Sequence, residues 1–278
     1  MSFVSRISNY FSPDTEAAAS SGFSKSRAPA SLRVATYNIH KGVSAFNRRS
    51  VVHDLREQLR TMQADIVFLQ EVVGNNDRHS RRHADWPKTP QHEFLADQHW
   101  PVSAYGKNAI YEHGHHGNAI LSAFPILRCE QVNISTNRIE QRGLLHAEIA
   151  LPDVDEPLHC VCIHLGLFGR SRLKQIDLVK ERIAAMVPRS APLIVAGDFN
   201  DWRRRAGDPL HEIELREVFE TLGGNPARSF PARLPILHLD RIYVRGLEVN
   251  DARVHRGGDW AKLSDHAALE ALLTIPKR

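Results

Sequence analysis

Residues 193–202 read LIVAGDFNDW. Leu193 to Gly197 form a continuous apolar run closed by glycine, the pattern of a strand covered on both faces. The run then passes directly into Asp198, Phe199, Asn200 and Asp201. Sheets flanked by helices put their chemistry at the carboxyl ends of such strands. On an extended chain Asp198 and Asn200 project to one side while Phe199 turns into the protein. An Asx turn, in which both side chains cap only their own backbone, accounts for the same residues. The pair alone leaves that choice open.

Working outward, the same passage from apolar to polar recurs. RVATYN (33–38) ends in Asn38, DIVFLQ (65–70) runs into Gln70 and Glu71, and LHCVCIH (158–164) ends in His164. LHLD (237–240) holds Asp240, and LSDH (263–266) holds Asp265 and His266. NAILS (118–122), LLHAEIA (144–150) and AALEALL (267–273) read as further strands. Val51, Leu55, Leu59 and Met62 make one helical stripe, and Leu173, Ile176, Val179, Ile183 and Val187 another. Several strands alternate apolar and polar residues, which predicts mostly antiparallel pairing. The expectation is an α/β domain of packed sheets with helices outside. Two long polar stretches, 73–92 and 201–212, read as loops of the kind that carry function.

The chain has 278 residues, 42% hydrophobic and 24% charged, enough for a sizeable core. Its 36 Lys+Arg against 32 Asp+Glu give a net charge of +4, a mild basic excess that suits phosphate-bearing partners. Cys129, Cys160 and Cys162 are an odd count, read as reduced thiols. Residues 1–30 are Ser/Ala-rich and read as a flexible lead-in to a domain over 31–278. Ala28 to Ala30 look like a cleavage site, but no apolar run precedes them, so the expected location is cytoplasmic. Phe3, Val4, Ile7, Tyr10 and Phe11 fall at helical spacing, which offers a peripheral membrane contact. No stretch approaches the roughly 20 apolar residues of a membrane span.

Carboxylates and amides gathered at strand ends are hard oxygen ligands, which suit Mg²⁺ or Mn²⁺ rather than zinc. TYN (36–38), LQE (69–71), IHLG (163–166), GDFN (197–200), LDRIYV (239–244) and SDH (264–266), in this order, resemble the endonuclease/exonuclease/phosphatase superfamily. NIHKG (38–42), GHHGNA (114–119) and AGDFNDW (196–202) resemble a bacterial, intracellular subgroup of it. The resemblance implies a four-layer α/β sandwich, two mostly antiparallel sheets face to face with helices outside. It implies metal ligation by Glu71, with Asn38 assisting through water and Asp265 completing the pocket. It implies catalytic roles for His164, Asp198, Asn200, Asp240 and His266. Asp198 or His266 would be the general base, with Asp198 alternatively a second metal ligand; Asp240 would pair with His266, and His164 would protonate the leaving group or bind phosphate. Arg142, Asn118, His164 and Asn200 would contact the phosphate. The reaction implied is in-line attack of water on phosphorus without a covalent enzyme intermediate.

HGHHG (113–117) lacks cysteine and reads as a tight, substrate-facing loop rather than a zinc site. Arg48–Arg49, Arg81–Arg82, Arg170 with Arg172, and Arg203 to Arg205 suggest a cationic rim. Trp86 and Trp202 are candidate stacking platforms for bases. Nucleic acid is therefore the first expected substrate of a monomeric enzyme. A phospholipid or small phosphate ester is the alternative, and a non-catalytic phosphate-binding module the remote one.

Overall fold

A computed structural model describes residues 31–44, 49–96, 98–203 and 207–276. The expected lead-in over 1–30, together with Arg48, Arg204 and Arg205, lies outside the described residues. Strands β1 (Leu32–Asn38), β2 (Ile66–Asn76), β3 (Val102–Tyr111), β4 (Gly114–Ser122), β11 (Glu248–His255) and β12 (Ala268–Thr274) form one sheet, in the order β11-β12-β1-β2-β4-β3. Strands β5 (Ile126–Asn133), β6 (Gly143–Ile149), β7 (Leu158–His164), β8 (Leu193–Asp198), β9 (Arg216–Glu217) and β10 (Asp240–Arg245) form the other, in the order β5-β6-β7-β8-β10-β9. Among the described residues each sheet has a single parallel pair, β1 with β2 and β7 with β8. All other pairings are antiparallel.

Side-chain alternation explains the layers. On β7, Cys160 and Cys162 face the other sheet across a core that includes Phe68, Ile120, Ile194 and Leu269. Val161 and Ile163 point the opposite way, onto α4 (Gly169–Met186). A strand covered on both sides favours apolar residues, hence LHCVCIH, in which only His159 interrupts the run before His164. Helix α4 has no side-chain N-cap; Ile176, Val179 and Ile183, each 1% exposed, dock it. Each such side chain contributes roughly 1.5–3 kcal/mol of burial. Helices α1 (Val52–Thr61), α3 (Gln91–Ala96) and α7 (Trp260–Leu263) cover the outer face of the first sheet. The result is the expected four-layer sandwich.

Gly197 has φ +147°, and a Cβ there would lie 1.9 Å from the Ile163 carbonyl oxygen. The glycine before Asp198 therefore lets two parallel strands close up just before the chain turns out of the sheet.

Three expectations are corrected. Residues 73–92 are not one loop: β2 continues to Asn76, whose side chain accepts from the His79 N–H at 2.9 Å and so caps α2 (Asp77–Arg82), and α3 follows. Residues 201–212 contain α5 (Gly207–His211). HGHHG is not a tight loop, because Gly114 to Gly117 already lie in β4, paired to both β2 and β3. Gly117 is small because the Gly106 carbonyl would stand 1.8 Å from a Cβ.

Candidate functional site

Register brings the polar strand ends together. Asn38 is level with Gln70, and Asp198 is level with both His164 and Asp240. The Asn38 Nδ2 donates to Asp198 Oδ2 at 3.1 Å, joining the two sheets. The same Oδ2 lies 3.5 Å from His164 Nε2 and 3.8 Å from His266 Nε2. His266 presents Nδ1 to Asp240 Oδ2 at 2.8 Å. Asp198 Oδ1 accepts the Asn200 N–H at 2.8 Å, so the Asx turn is real and coexists with the cluster. Asn200, at φ 49°, donates its Nδ2 to the Leu165 carbonyl at 2.9 Å. That carbonyl also accepts Arg142 Nε at 3.2 Å, which ties Arg142 to the same corner.

Glu71 reaches the site through a backbone irregularity. The β2–β4 register shifts between Leu69 and Val72, and Glu71 adopts φ 58°. A bulge of this kind re-aims side chains and turns up next to active sites. Gln70 stays between the sheets, bonded to Thr36 at 3.2 Å and Cys162 at 3.3 Å. Glu71 Oε2 stands 3.5 Å from Lys41 Nζ, a charge contact, and is buried without a hydrogen-bond partner. Asp265 Oδ1 lies 3.4 Å from His40 Nδ1. Its neighbour Ser264 donates to the Asn38 carbonyl at 2.6 Å, fastening this segment to β1.

The charges follow from burial and neighbours. Burial pushes the Asp198 carboxyl up to about 7; His266, the Asn200 N–H and Asn38 oppose the rise, and Asp240 adds to it. For His266, burial disfavours the cation, but Asp240 and Asp198 outweigh it and raise the imidazole to about 10. Burial and Arg142 hold His164 well below 6.5, so it is neutral at pH 7. Burial also works against the Glu71 charge, yet His164, Lys41 and His116 hold its carboxyl well below the usual range. The Lys41 ammonium carries that effect, because burial leaves both imidazoles neutral.

One consequence is measurable in the fold itself. The folded pKa of His266 lies above its ordinary 6.5, so its stabilisation is complete below that value and is lost as pH rises toward about 10. Asp198 has largely finished its own change near 7. Between roughly pH 8 and 10 the melting temperature of the metal-free protein is expected to fall more steeply than that of His266→Gln. Equal slopes in the two proteins would remove the cation from the account.

Asn118 is fully buried, and its amide nitrogen donates to the Gly143 and Cys162 carbonyls at 3.0 and 3.2 Å, a bridge between the sheets. Its Oδ1 has no partner. Sequence reasoning assigned no role to His40, Lys41 or His116, although all three lie in quoted motifs. His40 and Lys41 sit in left-handed backbone at φ 45° and 59°, which no periodicity shows. Trp86 stacks on His79 at 4.8 Å, and the Arg172 guanidinium covers Trp202 at 4.6 Å, so each indole has one face taken. A recess of about 610 Å³ lies away from Asp198, between Asp77, Arg78, Arg81, Arg82 and His113. His146, Glu148 and His159 place ligand atoms within 4.8 Å of one another. They stand five residues up β7 from His164, roughly 16 Å away. There His146 Nε2 faces His159 Nδ1 at 2.9 Å, the geometry of a shared proton. No helix among the described residues is long and apolar enough to cross a membrane.

Known proteins share this fold. The family model described as "Endonuclease/Exonuclease/phosphatase family" matches residues 35–266. "Uncharacterized protein YbhP" of Escherichia coli (strain K12) is 45% identical over 242 residues, which is 87% of this chain and 95% of that protein. Among solved structures, the mannosyl-6-phosphatase Bt3783 of Bacteroides thetaiotaomicron VPI-5482 superposes with TM-score 0.63 at 18% identity, over 87% of this chain and 99% of that one. TDP2 of D. rerio, complexed with a single-strand DNA product, gives TM-score 0.63 at 18% identity, over 88% and 99%. Both structural likenesses concern the fold.

Proposed function

The chain belongs to the endonuclease/exonuclease/phosphatase family, and on that footing we propose that it hydrolyses a phosphodiester by in-line attack of water, with Mg²⁺ or Mn²⁺ as cofactor. The observation that carries this reading is the buried Asp198 carboxylate, with His164 Nε2 at 3.5 Å and His266 Nε2 at 3.8 Å from one of its oxygens.

The residues fit the metal. Glu71 Oε2 is a buried oxygen without a hydrogen-bond partner on a carboxylate held ionised. Asn38 and Asp265 both meet the His40–Lys41 turn that faces Glu71, through the His40 N–H at 3.1 Å and His40 Nδ1 at 3.4 Å, and an all-oxygen donor set suits a hard divalent ion. When bound, such an ion supplies stabilisation of the charge that develops on the phosphoryl oxygens.

The remaining work falls to the chain. With its pKa near 7, Asp198 can take the proton of the attacking water at neutral pH. His266, raised to about 10 and fixed through Nδ1 by Asp240, is a poor base at that pH and a good cationic donor from Nε2 to a phosphoryl oxygen. This favours Asp198 as the base. His164 is neutral and stands on the opposite flank of Asp198, suited to donate a hydrogen bond to phosphate or leaving group. Arg142 and Asn200, both anchored on the Leu165 carbonyl, hold the non-bridging oxygens. Asn118 sets the spacing of the two sheets behind them.

A nucleic-acid substrate has one feature in its favour, the arginine-lined recess on α2 beyond the end of β2. The general reaction is tested with bis-p-nitrophenyl phosphate. Turnover is expected to vanish in EDTA and to return with Mg²⁺ or Mn²⁺, with Zn²⁺ a poor substitute. Hydrolysis indifferent to EDTA would contradict the reading.

A further inference from the structure

Among the described residues, the large apolar side chains that stand exposed are concentrated around the open end of the cleft, and only Leu127 and Leu222 lie elsewhere. Ile139, 86% exposed, sits between β5 and β6 next to Glu140, whose carboxylate accepts the Leu167 N–H at 2.9 Å. Leu167 and Phe168, 54% and 58% exposed, follow His164 by three and four residues. Trp202 follows Asn200 and forms a recess with Leu173. Across the cleft, Leu234 and Ile236, 73% and 57% exposed, project from a segment bound to the Asp265 carbonyl through Ala232 at 2.7 Å. The tip of the β3–β4 hairpin adds Ile110, whose N–H donates to Gln141 Oε1 at 3.1 Å, beside Arg142.

Charge is placed on the same rim in a regular way. Arg138 precedes Ile139, Arg170 follows Phe168 by two, Arg203 follows Trp202 and Arg233 precedes Leu234, and all four arginines are exposed. Of the nearby acids, Glu140 and Asp201 are buried, and Glu112 at the hairpin tip is exposed, one carboxylate against four guanidinium groups. Isolated exposed apolar residues are ordinary, whereas a ring of them around a functional cleft marks an interaction surface. The aliphatic members decide the partner. Ile139, Leu167, Leu234 and Ile236 offer no flat face on which a base could stack, so they do nothing for a nucleic acid. An anionic bilayer uses both sets: apolar side chains enter the headgroup boundary and arginines meet lipid phosphates.

We propose that the open end of the cleft docks on an anionic phospholipid surface and draws its phosphodiester from a lipid headgroup there. The substrate half of this inference rests on the phosphodiester reading of the site above. Docking places the headgroup phosphate where Arg142 and Asn200 converge, while the acyl chains stay in the bilayer.

The test uses the full chain, vesicles of phosphatidylcholine alone or mixed with phosphatidylglycerol, and two variants. One is Ile139→Ser with Phe168→Ser and Leu234→Ser; the other is Arg138→Glu with Arg170→Glu and Arg233→Glu. The wild type is expected to co-sediment with the anionic vesicles only and, with Mg²⁺ or Mn²⁺, to release phosphate-containing product from them. Both variants are expected to bind at least tenfold more weakly and to lose lipid turnover to the same extent, while hydrolysing bis-p-nitrophenyl phosphate at the wild-type rate. That unchanged rate also certifies their fold. A wild type that ignores vesicles, or variants that bind them equally well, overturns the proposal. So does binding without lipid hydrolysis in protein that still cleaves the small ester. If vesicles are bound but neither ester is cleaved, docking is supported and the proposed function fails instead. Duplex DNA bound in place of vesicles, with a log–log salt slope of roughly −0.9 per neutralised phosphate, would transfer the rim to nucleic acid.

Discussion

Asp198→Asn is expected to lower kcat on bis-p-nitrophenyl phosphate by about 10³-fold or more while leaving the protein as stable as before or more so. The substitution keeps the shape, removes the capacity to accept a proton and to carry charge, and turns a donor toward Asn38 Nδ2, so that one hydrogen bond worth roughly 1 kcal/mol is lost as well. The Asx turn survives, because an amide oxygen still accepts the Asn200 N–H. His266 keeps Asp240 at 2.8 Å and with it its orientation. The carboxylate being removed is one that burial already disfavours, as its pKa near 7 records, so above neutral pH its loss relieves a desolvation cost. Opposite movement of activity and melting temperature is the signature of a group retained for chemistry at the expense of the fold. Near-full turnover in this variant would remove Asp198 from the mechanism. A collapse of the melting temperature would make it a structural residue.

Glu71→Gln should produce a loss of similar size, about 10³-fold in kcat, by a different route. Glu71 is the ligand candidate whose carboxylate is both held ionised and left with a buried, unpartnered oxygen. An amide of the same size preserves the left-handed backbone at this position but leaves Lys41 facing a neutral group. The distinguishing measurement is a Mn²⁺ titration followed by calorimetry. The variant should need far more metal than the wild type, whereas Asp198→Asn should bind it with much less change. Normal metal binding with normal turnover in Glu71→Gln would show the ion to sit elsewhere.

The central strands were legible because both of their faces are covered. β1, β2, β7 and β8 carry largely apolar runs, and their polar ends announced where the cleft would lie. β3, β5, β9 and β11 escaped notice, and these are the four outermost strands of the two sheets. An edge strand with one face in water carries no continuous apolar run; ILRCEQVN, β5, has a single buried residue. The gathering of Asn38, Glu71, His164, Asp198, Asn200, Asp240, Asp265 and His266 at one end could be anticipated from those strand ends. The bulge that swings Glu71 out of line, the left-handed turn at His40 and Lys41, and the Leu165 carbonyl shared by Arg142 and Asn200 could not. All three are backbone events, and side-chain pattern does not encode them.

The polar ties between the two sheets have a mechanical consequence. Asn38 to Asp198, Gln70 to Cys162, and Asn118 to Gly143 and Cys162 lie near the cleft, and Gln131 on β5 donates to the Lys107 carbonyl on β3 at the sheet edge, while the hydrophobic core between these ties is contact without direction. The sandwich is thus pinned at one end and greased along its length, like a clothes-peg gripped at the jaws. A slip of one sheet over the other by a few tenths of an ångström costs the grease little, but it changes the gap between the proposed metal ligand on one jaw and the proposed base on the other. Substitutions remote from the cleft that alter the thickness of this layer, at Phe68 or Ile194 for instance, would detune catalysis before they melted the protein, so that distance from the chemistry is a poor guide to which positions here are free to drift.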